Sequence, residues 1–150
     1  MTHIGIILGH IVSREGIKVD FDKIKIILNL KPSLNPKQVR VLLGHTDYCR
    51  KCIRCYLDMT YPLEELSKEH QEYNWTEECD ASFDMLKKKL VEAPILRFPK
   101  WSVKFHVHVD ASGIEIGAIL TQPRDDGMDY PIVYSSRKLN KVERNYSMTE

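Results

Sequence analysis

One short stretch in the second half of the chain concentrates the side chains best suited to chemistry. In residues 105–112 (FHVHVDAS) apolar and polar residues alternate, which predicts a half-buried strand with Asp110 at its end. His106, His108 and Asp110 share one face of that strand, and two imidazoles with a carboxylate are ligands that zinc accepts. The other interpretation is that the histidines are polar-face residues beside a carboxylate. Both interpretations stay open on the sequence.

Three of the four cysteines form a second candidate cluster. Cys49, Cys52 and Cys55 are three residues apart, and such spacing can indicate a metal or iron–sulfur site. Residues three apart also lie along one face of a helix. Apolar residues are interleaved with these cysteines, and Cys79 is distant. The pattern favours buried, reduced thiols that bind no metal.

Charge is distributed unevenly along a chain whose net charge is only +1, so no global basic field indicates a nucleic-acid partner. The segment from Lys31 to Arg54 is basic, whereas the segment from Glu64 to Asp84 is acidic. A basic face can follow a phosphate backbone, although a solvated helix face has the same composition. The candidate nucleic-acid-binding residues are Lys37, Arg40, Arg50, Lys51 and Arg54.

The N-terminal sequence and the length of the apolar runs bear on the cellular location. Residues 1–20 have neither the basic nor the apolar region of a signal peptide, and no apolar run approaches a membrane-spanning length. We therefore expect a protein of the cell interior, cytoplasmic or nuclear, without a membrane partner.

The periodicity of the apolar residues predicts an α+β chain. Residues 4–19 are expected to form a hairpin, followed by helices capped by Asp20 or Asp22, by Asn35 and by Thr76. Between the last two, a short helix or two carries the cysteines and ends at residues 61–63. Strands follow at 104–110, 115–122 and 131–137, and a further helix starts near residue 145. The expected α+β fold is thus an N-terminal hairpin and a small helical region followed by three strands.

The chain resembles the polyproteins of Ty3/gypsy-type retrotransposons along its whole length. The motifs are weak singly, but their collinear order is specific. Those similar to the end of the reverse transcriptase palm and to its thumb and connection are Leu8-Gly9-His10-Ile11-Val12-Ser13, Asn35-Pro36-Lys37-Gln38-Val39-Arg40, Leu43-Gly44-His45 and Pro62-Leu63. Those similar to the approach to ribonuclease H and to its first half are Trp75-Thr76, Ala93-Pro94-Ile95-Leu96, Val109-Asp110-Ala111-Ser112, Gly117-Ala118, Leu120-Thr121-Gln122 and Tyr134-Ser135-Ser136-Arg137-Lys138-Leu139.

This resemblance implies two units. Residues 1–94 would hold the end of the palm and the thumb and connection region. Residues 95–150 would hold the N-terminal half of an incomplete ribonuclease H-like domain. Its three-stranded antiparallel sheet would expose an apolar face and an edge able to self-associate. The family motif GYYRRFIRGY has two aromatic residues and a glycine where this chain has Cys49, Cys52 and Cys55.

The chemistry implied by the resemblance is RNA-directed DNA polymerisation and hydrolysis of RNA paired to DNA. Hydrolysis would use two Mg²⁺ or Mn²⁺ ions about 4 Å apart, held by several carboxylates. Asp110 corresponds to the first carboxylate, as catalytic and metal-binding residue. The second is a glutamate expected at position 152, two positions beyond the 150 residues given. The sequence also contains no Tyr-x-Asp-Asp motif of the polymerase site.

Two functional hypotheses follow. The first is a polyprotein fragment that is itself inactive, with the rest of the polyprotein and an RNA–DNA hybrid or primer–template as partners. The second is a domesticated or degenerate module that binds nucleic acid or a protein without catalysis.

The stretch around Asp110 is also similar to the His-x-His-x-Asp-His motif of metallo-hydrolases, in which Ala111 would replace the last histidine.

Overall fold

The computed structural model describes residues 4–7, 9–32, 34–68 and 73–145. The hairpin predicted over residues 4–19 is a three-stranded antiparallel sheet of β1 (Ile4–Ile7), β2 (His10–Ser13) and β3 (Gly16–Val19). Gly16 begins β3 with a φ of 138°, and its missing side chain leaves room for the backbone of Leu96. Ile17 and Leu96 exchange backbone hydrogen bonds of 2.7 and 2.8 Å.

Four α-helices follow, and local capping explains where the first two begin. The side chain of Asp20 accepts a hydrogen bond from the backbone N–H of Asp22, as predicted. Asn35 and Gln38 form a reciprocal capping box with two bonds of 2.9 Å. The helices are α1 (Phe21–Leu28), α2 (Pro36–Asp47), α3 (Tyr56–Leu66) and α4 (Glu77–Val91).

The predicted end of the cysteine-bearing helix at residues 61–63 is wrong. Helix α3 continues through Pro62 to Leu66, although an interior proline removes one hydrogen bond and costs about 3 kcal/mol. Leu63 is fully buried in the core, and α3 packs closely along α4. Burial beyond the proline therefore outweighs the local cost of the proline.

The apolar core is built almost wholly from the first two-thirds of the chain. Its fully buried members include Phe83, Leu63, Leu86 and Leu42. Among the described residues after Leu96, the only buried apolar side chain is that of Tyr130. The core therefore belongs to the helical part.

The second sheet confirms the predicted three-stranded antiparallel arrangement and the α+β class. Its strands are β4 (His106–Ala111), β5 (Glu115–Pro123) and β6 (Asp129–Lys138), in the order β4-β5-β6. Within this described sheet β4 is an edge strand, and the side chains of Val107 and Val109 are exposed.

A single 3-10 turn covers Glu143–Asn145, and the helix expected to start there falls on residues 146–150, outside the described part of the chain. None of the helices in the described ranges combines the length and apolar character needed to cross a membrane.

Cys55 adopts a left-handed backbone conformation, with a φ of 51°, between the 3-10 turn Arg50–Cys52 and α3. This position is the one at which the family motif has glycine. Since a side chain at positive φ costs roughly 1–2 kcal/mol, we expect Cys55→Gly to raise the free energy of unfolding by about 1 kcal/mol. Urea denaturation followed by circular dichroism would measure the change.

The matched control for this substitution is Cys55→Ala, which removes the same thiol but keeps the Cβ atom. We expect it to bring no stabilisation. Equal effects of the two substitutions would show that the thiol, and not the backbone conformation, sets the stability at this position.

Candidate nucleic-acid and metal-binding surface

Asp110 lies near the end of the edge strand β4 and is paired with a cation. Its Oδ2 accepts a hydrogen bond from Nη2 of Arg54 at 3.1 Å. The two side chains are 63% and 68% exposed, respectively. An ion pair so open to water contributes at most about 1 kcal/mol. Both groups are therefore free to exchange this contact for another partner.

Arg54 belongs to the segment 49–55, which contains three of the cysteines. Cys52 and Ile53 are buried in the core, Cys55 has a left-handed backbone conformation, and the side chain of Arg54 between Ile53 and Cys55 is exposed. A shallow cleft of about 250 Å³ lies beside the ion pair. Its lining residues include Arg54, Cys55, His108, Asp110 and Gly117.

The buried cysteines have the character expected of core thiols. Cys49 and Cys52 are at most 1% exposed, and burial raises the pKa of each thiol to about 11. Thiols with so high a pKa are protonated near neutral pH. The structure does not join the cysteines into a metal-binding group among the described residues.

Glu115 is a buried carboxylate that sequence reasoning did not single out. It is 1% exposed, and its Oε2 accepts the backbone N–H of Leu57 in the first turn of α3 at 3.0 Å. Burial, with a smaller contribution from Asp58, raises the pKa of Glu115. The raised value favours folding at low pH, and this contribution is lost as the pH rises through the folded-state pKa. The side chain anchors β5 to α3.

The predicted basic residues have different surroundings. Arg50 is half-buried and donates to the carbonyl oxygen of Ser136 in β6 at 2.5 Å, so it joins the helical part to the second sheet. Lys37, Arg40 and Lys51 are exposed, and Arg54 is the cation beside Asp110. The structure thus brings Arg54 and Asp110 together and gives Arg50 a structural contact.

The carboxylate that meets the two histidines is Asp129, not Asp110. Oδ2 of Asp129 lies 2.8 Å from Nδ1 of His106 and 3.4 Å from Nε2 of His108. It also accepts a hydrogen bond of 2.7 Å from the hydroxyl of Thr121, and this bond, with His106, lowers the pKa of Asp129 to about 2. The sequence carried no signal for this partner, because Asp129 is 21 residues from His108 and meets it only through strand pairing.

The described residues do not by themselves fit a two-ion centre at Asp110. Among them, one group of three or more histidine, cysteine or acidic side chains is close enough to hold a metal ion, and Asp110 is not a member. The charged group nearest to this carboxylate in the hydrogen-bond network is the cation Arg54.

Comparison with known families decides the assignment of the chain. Residues 75–150 match the family of RNase H-like domains found in reverse transcriptase. The chain belongs to this family. The predicted membership of the reverse transcriptase–ribonuclease H polyproteins of retrotransposons is confirmed, and this family generally uses divalent metal ions.

Two retrotransposon relatives align with nearly the whole chain. The chain is 39% identical over 154 residues to the retrovirus-related Pol polyprotein from transposon opus of Drosophila melanogaster, covering 95% of this chain and 15% of that protein. It is 34% identical over 143 residues to the transposon Tf2-3 polyprotein of Schizosaccharomyces pombe, covering 95% of this chain and 11% of that protein. The chain therefore spans a small part of the polyproteins it resembles.

Solved structures show the same fold at lower sequence identity. The foamy viral protease-reverse transcriptase in complex with double-stranded DNA superimposes with a TM-score of 0.78 at 19% identity, over 98% of this chain and 31% of that one. The same enzyme in complex with an RNA/DNA hybrid gives 0.75 at 19% identity, over 97% and 20%. These likenesses establish that this reverse transcriptase RNase H-like segment shares their fold.

Proposed function

We propose that this segment joins the thumb and connection region of a reverse transcriptase to its ribonuclease H-like domain and presents a basic surface and Asp110 to an RNA–DNA hybrid. The observation that carries the proposal is the contact between Arg54, from the first unit, and Asp110, from the second. The polyprotein would act inside the cell, in the cytoplasm or nucleus.

Contacts between residues 1–94 and residues 95–150 support a linking role. Besides the Ile17–Leu96 bridge, Glu115 accepts from the N-terminal turn of α3, and Lys138 in β6 pairs with Glu64 in α3. Arg50 adds its bond to β6. These contacts would hold the second sheet in one orientation relative to the helices. A segment that links two domains requires such a fixed orientation.

Exposed cations beside the sheet support binding of a phosphate backbone. Lys51 and Arg54 lie among the cysteines of residues 49–55, and Arg54 contacts Asp110. Lys37 and Arg40 are exposed on α2. A phosphate can replace the carboxylate in the open Arg54–Asp110 pair, because an exposed pair is held weakly. Such contacts release counterions and are independent of base sequence.

In the whole polyprotein, the corresponding activities would be RNA-directed DNA polymerisation and hydrolysis of the RNA strand of a hybrid. Mg²⁺ or Mn²⁺ would supply the electrostatic stabilisation of that hydrolysis, and Asp110 would be one ligand. The segment itself would be inactive, because Asp110 faces a cation and belongs to no group of three or more possible metal ligands among the described residues.

Binding of a labelled RNA–DNA hybrid to the segment would test this proposal. We expect a dissociation constant in the range of about 10⁻⁶ to 10⁻⁴ M that weakens as salt rises. Lys51→Ala together with Arg54→Ala should reduce the slope of log affinity against log salt by about two, one for each lost phosphate contact. Arg50 is left unchanged because of its bond to β6.

The matched control removes two exposed lysines from α4, Lys88→Ala with Lys89→Ala, and changes the net charge equally. Its salt slope should be unchanged. Equal slopes for all three proteins would contradict the proposed binding surface. The same samples with Mg²⁺ or Mn²⁺ should show no hybrid cleavage, and cleavage that disappears in Asp110→Asn would refute the proposed inactivity.

A further inference from the structure

Three strands bring two imidazoles and a carboxylate to one point on the second sheet. His106 and His108 project from one face of β4, and Asp129 begins β6 on the other side of β5. We propose that His106, His108 and Asp129 form a binding site for one divalent transition-metal ion, with zinc as the ion of best fit. Asp110 is not a member of this group, although His108 also lines the cleft beside Asp110.

The distances suit a single small ion. Zinc bonds nitrogen and oxygen at roughly 2.0–2.2 Å, so that neighbouring ligands of a tetrahedral site lie about 3.3–3.6 Å apart. Oδ2 of Asp129 is 2.8 Å from His106 Nδ1 and 3.4 Å from His108 Nε2. The three ligand atoms all lie within 4.8 Å of one another. Small side-chain rotations would therefore complete the site.

A hydrogen bond from β5 orients the carboxylate of Asp129. The hydroxyl of Thr121, a residue only 5% exposed in the middle of the three strands, donates to Oδ2 of Asp129 at 2.7 Å. Backbone pairing places Thr121 directly between His106 of β4 and Pro131 of β6. Partners of this kind orient metal ligands, and their loss commonly costs about 10- to 100-fold in metal affinity.

The protonation chemistry of the site is simple. Where an imidazole N–H now donates to the carboxylate, that nitrogen must release its proton or adopt the other tautomer to offer a lone pair. The ion then takes the position of the proton between nitrogen and oxygen. With three protein ligands and side chains 25% to 60% exposed, water would complete the coordination.

The ligand set also selects the class of ion. Imidazole suits zinc, copper and nickel, whereas Mg²⁺ prefers oxygen ligands and retains its waters. Binding at this cluster therefore distinguishes it from the metal chemistry proposed for Asp110, and its test requires no nucleic acid. Either proposal can fail without the other.

Titration of the reduced full chain with Zn²⁺ by calorimetry, and with Co²⁺ by visible absorption, would test the site. We expect one ion per chain and a weakening of at least about tenfold in His106→Ala, His108→Ala and Asp129→Asn, with a similar loss in Thr121→Val. The matched control is His45→Ala, an exposed histidine on α2, which should bind as the unaltered chain does. An excess of Mg²⁺ should not displace the ion.

His108 is the most exposed of the three ligands, so His108→Ala is the variant least able to disturb folding. In the unaltered chain, Co²⁺ should selectively broaden the imidazole NMR signals of His106 and His108. Absence of binding, binding that persists in all three ligand variants, or thiolate-to-cobalt charge-transfer absorption from the cysteines would overturn the proposal.

Discussion

Replacing Phe83 with alanine is expected to lower the free energy of unfolding by about 3–5 kcal/mol. The ring is fully buried in α4, meets Trp75 edge-to-face at 6.1 Å and carries the ammonium group of Lys87 at 4.2 Å above its face. Lys87 in turn donates to the carbonyl oxygens of Leu28 and Leu30 at the end of α1. Loss of the ring would leave a cavity in the core and would remove the contacts with Trp75 and Lys87.

The size of this effect is large against the total stability of about 5–15 kcal/mol usual for a domain. Urea denaturation followed by circular dichroism would measure it. Met85→Ala, at an exposed position of the same helix, is the matched control, and its cost should stay near 0.5 kcal/mol. Similar losses in the two variants would contradict the placement of the core around Phe83.

The two parts of the chain are expected to differ strongly in hydrogen exchange. Amides of α2 and α4 should exchange about a hundredfold or more slowly than those of β4, since elements with few buried apolar contacts open at low free energy. Beyond Leu96 the described core contains only Tyr130, and β4 has an unpaired edge within the described sheet. Exchange measured by NMR or mass spectrometry on the dilute protein would test this difference.

The same exposed strand should drive self-association at high concentration, because Val107 and Val109 are 64% and 65% exposed beside a free edge. Replacing both valines with lysine should reduce self-association in sedimentation experiments. Ile26→Lys, at a similarly exposed apolar position on α1, should have little effect. Uniform protection of both parts in a monomer would contradict this view of the sheet.

Local signals in the sequence determined much of the fold. Asp20, Asn35 and Pro36 mark helix starts through contacts within three residues, and the structure has those starts where they were predicted. The period-two alternation of β4 also predicted that strand, and the resemblance to ribonuclease H-like domains implied the antiparallel sheet. Family membership was evident for a related reason, since collinear short motifs survive even where each one is weak.

Interactions between distant residues could not be read in this way. The continuation of α3 through Pro62 depends on burial against α4. At Cys55 the residue type of this chain does not indicate a left-handed backbone, although the glycine of the family motif at this position is consistent with one. In each case tertiary free energy outweighs a local preference of a few kcal/mol at most.

The same distinction between local signals and interactions of distant residues applies to the candidate sites. The sequence by itself identified Asp110, the histidine pair and the basic segment, because residue type and short spacing suffice for that. Only the tertiary structure decided their partners: Arg54 for Asp110, 56 residues apart, and Asp129 for His106, 23 residues apart. The physical reason is that strand register and helix packing, which bring distant side chains within 3–4 Å, arise from the free energy of the whole core and not from any local pattern.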